Sequence, residues 1–184
     1  MKKLIIAGVV LSLCGCAMTD TKETAPDVNQ VPEKVYLSGM SNELATDALL
    51  VSLINKNYMA KKVASNRIGV QLGGHQFVLQ PSLNPQGVDR ILASRYYAVH
   101  PKLANSQELM VLIGSLNHKL NFAKFTLRDN GKVIQVQGAA TFVGTLELEE
   151  LRRFLIWTDD ALKQVAKSLP NSAEELIKPM PVMP

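Results

Sequence analysis

Cysteine is almost missing from this chain. Only Cys14 and Cys16 occur in 184 residues, and none follows from Ala17 to Pro184. That stretch must hold together without a disulfide and act without a thiol. Histidine is nearly as scarce: His75, His100 and His118 are scattered, with no HExxH or comparable metal-ligand spacing, so no metal is expected. Glycine never forms a GxGxxG or lysine-terminated phosphate loop, and no GxSxG elbow presents a nucleophilic serine. No cofactor is expected, and the chain reads as non-catalytic. Aromatic residues are few, with Trp157 the single tryptophan. Long apolar runs are lacking too: the stretch from Leu4 to Leu13 is too short to span a bilayer.

What the first residues do contain is a pattern. Lys2 and Lys3 precede the apolar run, as in a secretory signal. It ends in Leu13-Cys14-Gly15-Cys16, which resembles the bacterial lipobox. The resemblance implies that residues 1–15 are a lipoprotein signal peptide and that Cys16 becomes the acylated first residue. The first partner expected is therefore a membrane, reached through Cys16, since several acyl chains on one residue anchor firmly. Ala17, in place of an aspartate, is the pattern associated with sorting to the outer membrane, facing the periplasm. Without Lys2 and Lys3, eighteen basic residues face sixteen acidic ones, a net charge near +2. So small an excess gives no reason to expect nucleic acid.

Residues 16–40 read as the lipidated cysteine and a polar tether containing Pro26 and Pro32. Val35, Tyr36 and Leu37 could instead add an edge strand. A domain is expected over 41–170. It begins with Ser41 capping a helix to about Lys56, whose broad apolar surface (Leu44, Ala48, Val51, Leu49, Leu50, Leu53, Ile54) suggests burial within the domain or a dimer contact. A hairpin follows over Arg67–Gln80, turning at Gly73-Gly74, with Val70 opposite Phe77 and Ile68 opposite Leu79. A third, more central strand runs from about Arg90 to Val99.

The second half organises the rest. Asn105 and Glu108 offer a capping box for a helix carrying Leu109, Leu112, Ile113, Leu116 and Leu120, with Asn121 as a left-handed stop. Asn130-Gly131 favours a type I′ turn, which sets Leu127 against Ile134 and Phe125 against Val136. Thr145 is placed to cap a long helix whose seam runs Leu148, Leu151, Leu155, Thr158, Leu162, Val165, Leu169, ending before Pro170. Such a seam lies across the sheet or pairs in a coiled coil. Asp159-Asp160 reads as a solvated face, and Arg128, Lys132, Lys119 and Lys124 as charges on a solvated strand face or a basic patch. The final segment, 171–184, with three prolines, reads as a loose tail.

The fold class expected is α+β: a five-stranded antiparallel sheet packed by helices, in the order α-βββ-α-ββ-α. That order, the wording Asn117-His118-Lys119-Leu120-Asn121-Phe122-Ala123-Lys124-Phe125 leading to Asn130-Gly131, and then Leu151-Arg152-Arg153-Phe154-Leu155 resemble the YbjN domain family. The resemblance spans about Ser41 to Leu169 and implies a fold like that of type III secretion chaperones. Phe154 flanks the helical seam, while Ile156 and Trp157 point away from it. They are either covered by a loop or form, with Phe154, a partner surface. The function expected is a lipid-anchored envelope module that binds an unidentified envelope protein. The alternative is a structural lipoprotein acting through a homodimer; an envelope hydrolase ranks below both.

Overall fold

A computed structural model describes residues 33–73, 75–169 and 173–183. The signal peptide, Cys16, the tether as far as Pro32, Gly74 and Pro170 lie outside the described residues.

The first hairpin forms as the alternation of its residues requires. Strand β3 (Arg67–Leu72) pairs antiparallel with β4 (His75–Ser82), with Ile68 opposite Leu79 and Val70 opposite Phe77. Strand β5 (Asp89–Val99) lies between β4 and β7 (Val133–Phe142), the central position its apolar content suggested. Strand β6 (Lys124–Arg128) pairs with β7 in the expected register, Leu127 opposite Ile134 and Phe125 opposite Val136. Asn130 and Gly131 take positive φ at 54° and 79°, and the Lys132 N–H donates to the Asp129 carbonyl. Asp129 is also left-handed, so pairing stops at Arg128 and Val133 and the loop has four residues rather than two.

The sheet is wider than the five strands expected. Those five are present, and β2 (Ala60–Ala64) and β9 (Ile177–Pro179) extend it to seven, in the order β2-β3-β4-β5-β7-β6 with β9 beside β5. Strand β2 is an edge in which Lys61, Lys62, Val63 and Ala64 are all exposed, so it carries no alternating apolar signal. Strand β9 takes the end of β5 that β4 does not reach, pairing Val99 with Ile177 and Tyr97 with Pro179. A separate two-stranded sheet joins β1 (Lys34–Tyr36) to β8 (Thr145–Glu147). The strand weighed for Val35, Tyr36 and Leu37 therefore forms, over Lys34–Tyr36, in place of a polar tether there, and Val35 and Leu37 are buried core residues.

Alternation along each strand separates two faces. One carries Ile68, Val70, Phe77, Leu79, Ile91, Val136 and Phe125, all buried. Helices α1 (Asn42–Asn55), α2 (Gln107–Lys119) and α3 (Leu148–Ser168) supply the buried residues that join them in two hydrophobic clusters. Full burial of such side chains contributes about 1.5–3 kcal/mol each. The α3 seam is buried at Leu148, Leu151, Leu155, Thr158 and Leu162, against the domain itself. The fold is thus α+β, with a mostly antiparallel sheet.

Three helix boundaries differ from the sequence reading. Ser106, not Asn105, caps α2, its Oγ accepting from the Leu109 N–H at 3.1 Å, because Asn105 turns left-handed at φ 60°. The same helix ends in extended backbone at Leu120 rather than at a left-handed Asn121. Thr145 belongs to β8, and Glu147 precedes α3 without a side-chain cap bond. Ser41 caps α1 as expected. That helix is not covered all round, however: Ala45, Thr46, Leu49 and Leu53 face the core, while Leu44, Val51 and Ile54 are exposed.

The last residues are not a loose tail where they are described. After α4 (Ala173–Leu176) and β9, Met183 is buried. Gln76 holds the segment: its Oε1 accepts from the N–H groups of Val182 and Met183, and its Nε2 donates to the Met183 carbonyl. Gly69 makes the approach feasible, since a Cβ there would lie 2.6 Å from Met183 Cγ. Proline in this stretch signalled extended backbone, not looseness.

Candidate functional site

The candidate partner residues come from α3 and from the α2–β6 connection. Phe154 and Trp157 are three apart on α3 and so share a side of it. Their rings lie 6.4 Å apart, and Phe122 meets Trp157 edge-on at 5.7 Å. Phe122 packs in turn against Phe125 at 6.4 Å. Trp157 is thus fixed on two sides while remaining 54% exposed. Phe154 is half-buried against the core, and Ile156, about 100° round the helix from Trp157, is half-buried on another side. The structure brings Phe154 and Trp157 together and leaves Ile156 out. Phe122 is the member that sequence reasoning missed; its signal was the apolar residue left over where the α2 period ended.

This aromatic group stands where β6 stops. Strand β7 is ten residues long and pairs with β5 over its whole length, but β6 covers it only from Val133 to Gln137. Gly138 lies at the boundary: a Cβ there would sit 2.8 Å from Phe154 Cζ and 2.9 Å from the Phe122 carbonyl oxygen. Beyond it, Ala139 and Thr141 are exposed. The groove beside them is lined by Arg90, Leu92, Phe122, Lys124 and Thr126 among others, and contains no acidic residue. Neither Arg90 nor Lys124 has an ion-pair partner among the described residues.

A second polar constellation lies under α3. Asp159 is buried, which corrects its reading as part of a solvated face. One carboxylate oxygen takes Arg95 Nη1 at 3.3 Å and touches His75 Nδ1; the other takes Lys163 Nζ at 2.7 Å. The Arg95 guanidinium also lies over Phe77 and Tyr97, 5.6 and 5.4 Å from their ring centres, so it joins the two halves of the core. The His75 contact lacks hydrogen-bond geometry, leaving Nδ1 buried without a bond. Burial and, next, the Arg95 charge lower the His75 pKa below its usual 6.5, outweighing the attraction of Asp159. Burial raises the Tyr97 pKa, and the hydrogen bond to Asp159 raises that of Lys163. Among the described residues no serine or threonine bonds to His75, and the Arg95–Asp159 pair ties α3 to β5.

Other candidates carry less. An apolar cavity of about 110 Å³ between α2, α3 and the sheet has Leu112, Leu116, Leu162 and Ile177 in its walls, with no charged group. His100 and His118 are exposed and far apart in sequence, and among the described residues no group of three metal-ligating side chains converges. No described helix is long and apolar enough to cross a membrane. Neither a scan against protein-family models nor a comparison with curated proteins finds a match to this chain.

Proposed function

We propose that this protein is a non-catalytic, lipid-anchored cell-envelope module that binds another envelope protein. Acylated Cys16 holds it in the outer membrane, facing the periplasm, and the chain from Ala17 onward presents the binding domain. The fold is read as YbjN-like, related to type III secretion chaperones, and the activity as chaperone-like holding of a client. The observation that carries this reading is Trp157: a large aromatic, 54% exposed, held in place by Phe122 and Phe154. Rigid, half-exposed aromatics are the residue type that dominates protein interfaces, because they offer area at little entropic cost.

The test is photo-crosslinking in cells from a probe at Trp157, with Gln135 on the opposite face of the sheet as a reference position. Crosslinks at Trp157 to one distinct envelope protein support the module; a probe that captures nothing at normal expression and localisation overturns it.

A second reading, a structural lipoprotein that acts through a homodimer, draws on α1. Leu44, Val51 and Ile54 are 61, 57 and 51% exposed on the face turned from the core. It predicts a mass that rises with concentration and falls back when Val51→Glu is introduced.

A further inference from the structure

Parts of the sheet's outer edges are guarded, and among the described residues a stretch of β7 beside the aromatic group is open. Strand β2 carries Lys61 and Lys62 on its rim, charges that discourage a further strand. At β6 the outward N–H and C=O of Phe125 are occupied by a side chain: Asn117 Oδ1 accepts from the N–H at 2.8 Å, and Asn117 Nδ2 donates to the carbonyl at 2.9 Å. That detail also sets the ladder. With Phe125 bonding outward, its neighbours Lys124, Thr126 and Arg128 bond inward, to Gln137, Gln135 and Val133. Alternation along β7 then aims the N–H and C=O groups of Ala139 and Thr141 the same way, past the point where β6 ends. Among the described residues nothing bonds to them on that side.

We infer that Ala139–Thr141 is a strand-addition site, and that its occupant is an extended segment of a partner protein in which apolar and acidic residues alternate. This deepens the binding reading above and rests on it. Small side chains at Ala139, Ala140 and Thr141 leave the edge accessible. A strand laid there sends alternate side chains to the two faces of the sheet. Those on the helical face meet Phe154 and Trp157 across Gly138, which calls for apolar groups. Those on the other face lie beside Arg90, the pairing partner of Thr141, and toward Lys124, which calls for carboxylates. A second copy of this chain fits worse, because its own β7 edge carries no carboxylate to face Arg90 and Lys124.

Trp157 is the only tryptophan, so its emission reports directly on the site. The experiment titrates the full chain, in detergent micelles, with a short capped peptide alternating leucine and glutamate. Two control peptides have lysine for glutamate, or N-methyl groups on every second amide. The glutamate peptide is expected to shift the emission saturably, and each control to bind about tenfold more weakly or worse. Ala139→Pro, and separately Thr141→Pro, remove an outward N–H without touching the β5 ladder; each should abolish the shift at unchanged thermal unfolding. Should either variant fail to fold, the N-methylated peptide tests the same hydrogen bonds on the unaltered protein. Equal binding of the N-methylated peptide overturns strand addition, and equal binding of the lysine peptide overturns the acidic partner. A chain that binds no peptide but crosslinks an envelope protein at Trp157 overturns this inference alone; failure of both overturns the module as well.

Discussion

Gly138 and Phe154 claim the same space. The nearest ring carbon of Phe154 lies 2.8 Å from where a Cβ on residue 138 would be, and the Phe122 carbonyl closes the other side at 2.9 Å. The absence of a side chain at one position in β7 is what lets α3 lower an aromatic ring onto the sheet, and that ring positions Trp157.

Gly138→Ala should therefore be costly although it adds one methyl group. Backbone on one side leaves little room for relief, and overpacking of this kind costs about 1–3 kcal/mol. Chemical denaturation measures the loss. Trp157 emission in the folded variant should change too, since the rings that hold it must move.

Asn117→Ala should unmask the β6 edge. It removes two side-chain hydrogen bonds to the backbone of one residue, at about 0.5–1.5 kcal/mol each. The specific sign is faster amide exchange at Phe125 than at Ile134, whose N–H lies within the sheet. An unchanged Phe125 rate would mean that the side chain contributes nothing to that edge.

Asp159→Ala should destabilise by about 3–5 kcal/mol, because it leaves Arg95 buried without its counter-charge. Lys163→Ala should cost far less, since that side chain is half exposed. Comparing the two by urea unfolding separates the buried pair from the surface one.

His75 makes stability depend on pH with a definite sign. Its folded pKa is lowered, so as pH falls below 6.5 the unfolded chain takes up a proton before the folded one does. Stability from this residue is complete above pH 6.5 and is lost as pH falls through the lower, folded value. The melting temperature of the wild-type chain should drop over that window, and His75→Gln should flatten this part of the profile while other slopes persist.

Gln76→Ala should release the residues after β9 locally rather than unfold the protein. Three hydrogen bonds to Val182 and Met183 disappear, and the amide protons of those two residues should lose protection while those of β4 keep theirs. Hydrogen exchange read by NMR distinguishes the two outcomes.

Local chemistry made much of this fold readable. The period-2 pattern of Ile68, Val70, Phe77 and Leu79 and the left-handed tolerance of Asn130 and Gly131 specify pairing partners without reference to anything distant, and both hairpins pair accordingly. The Ser41 cap and the α3 seam are equally local. The β2 edge was not readable, because a strand such as Lys61–Ala64, exposed to water, needs no apolar residues. The docked C-terminus was hidden for a different reason: it depends on a gap beside Met183 that Gly69 leaves, more than a hundred residues earlier.

The sequence by itself determined the α+β class, the two hairpin registers and the buried seam of α3, since each follows from residues within a few positions of one another. Only the tertiary structure decided that Asp159 is buried against Arg95, that Phe122 joins Phe154 and Trp157, and that β7 outruns β6 beside them. Those facts depend on side chains meeting across the sheet, where distance in space is unrelated to distance along the chain.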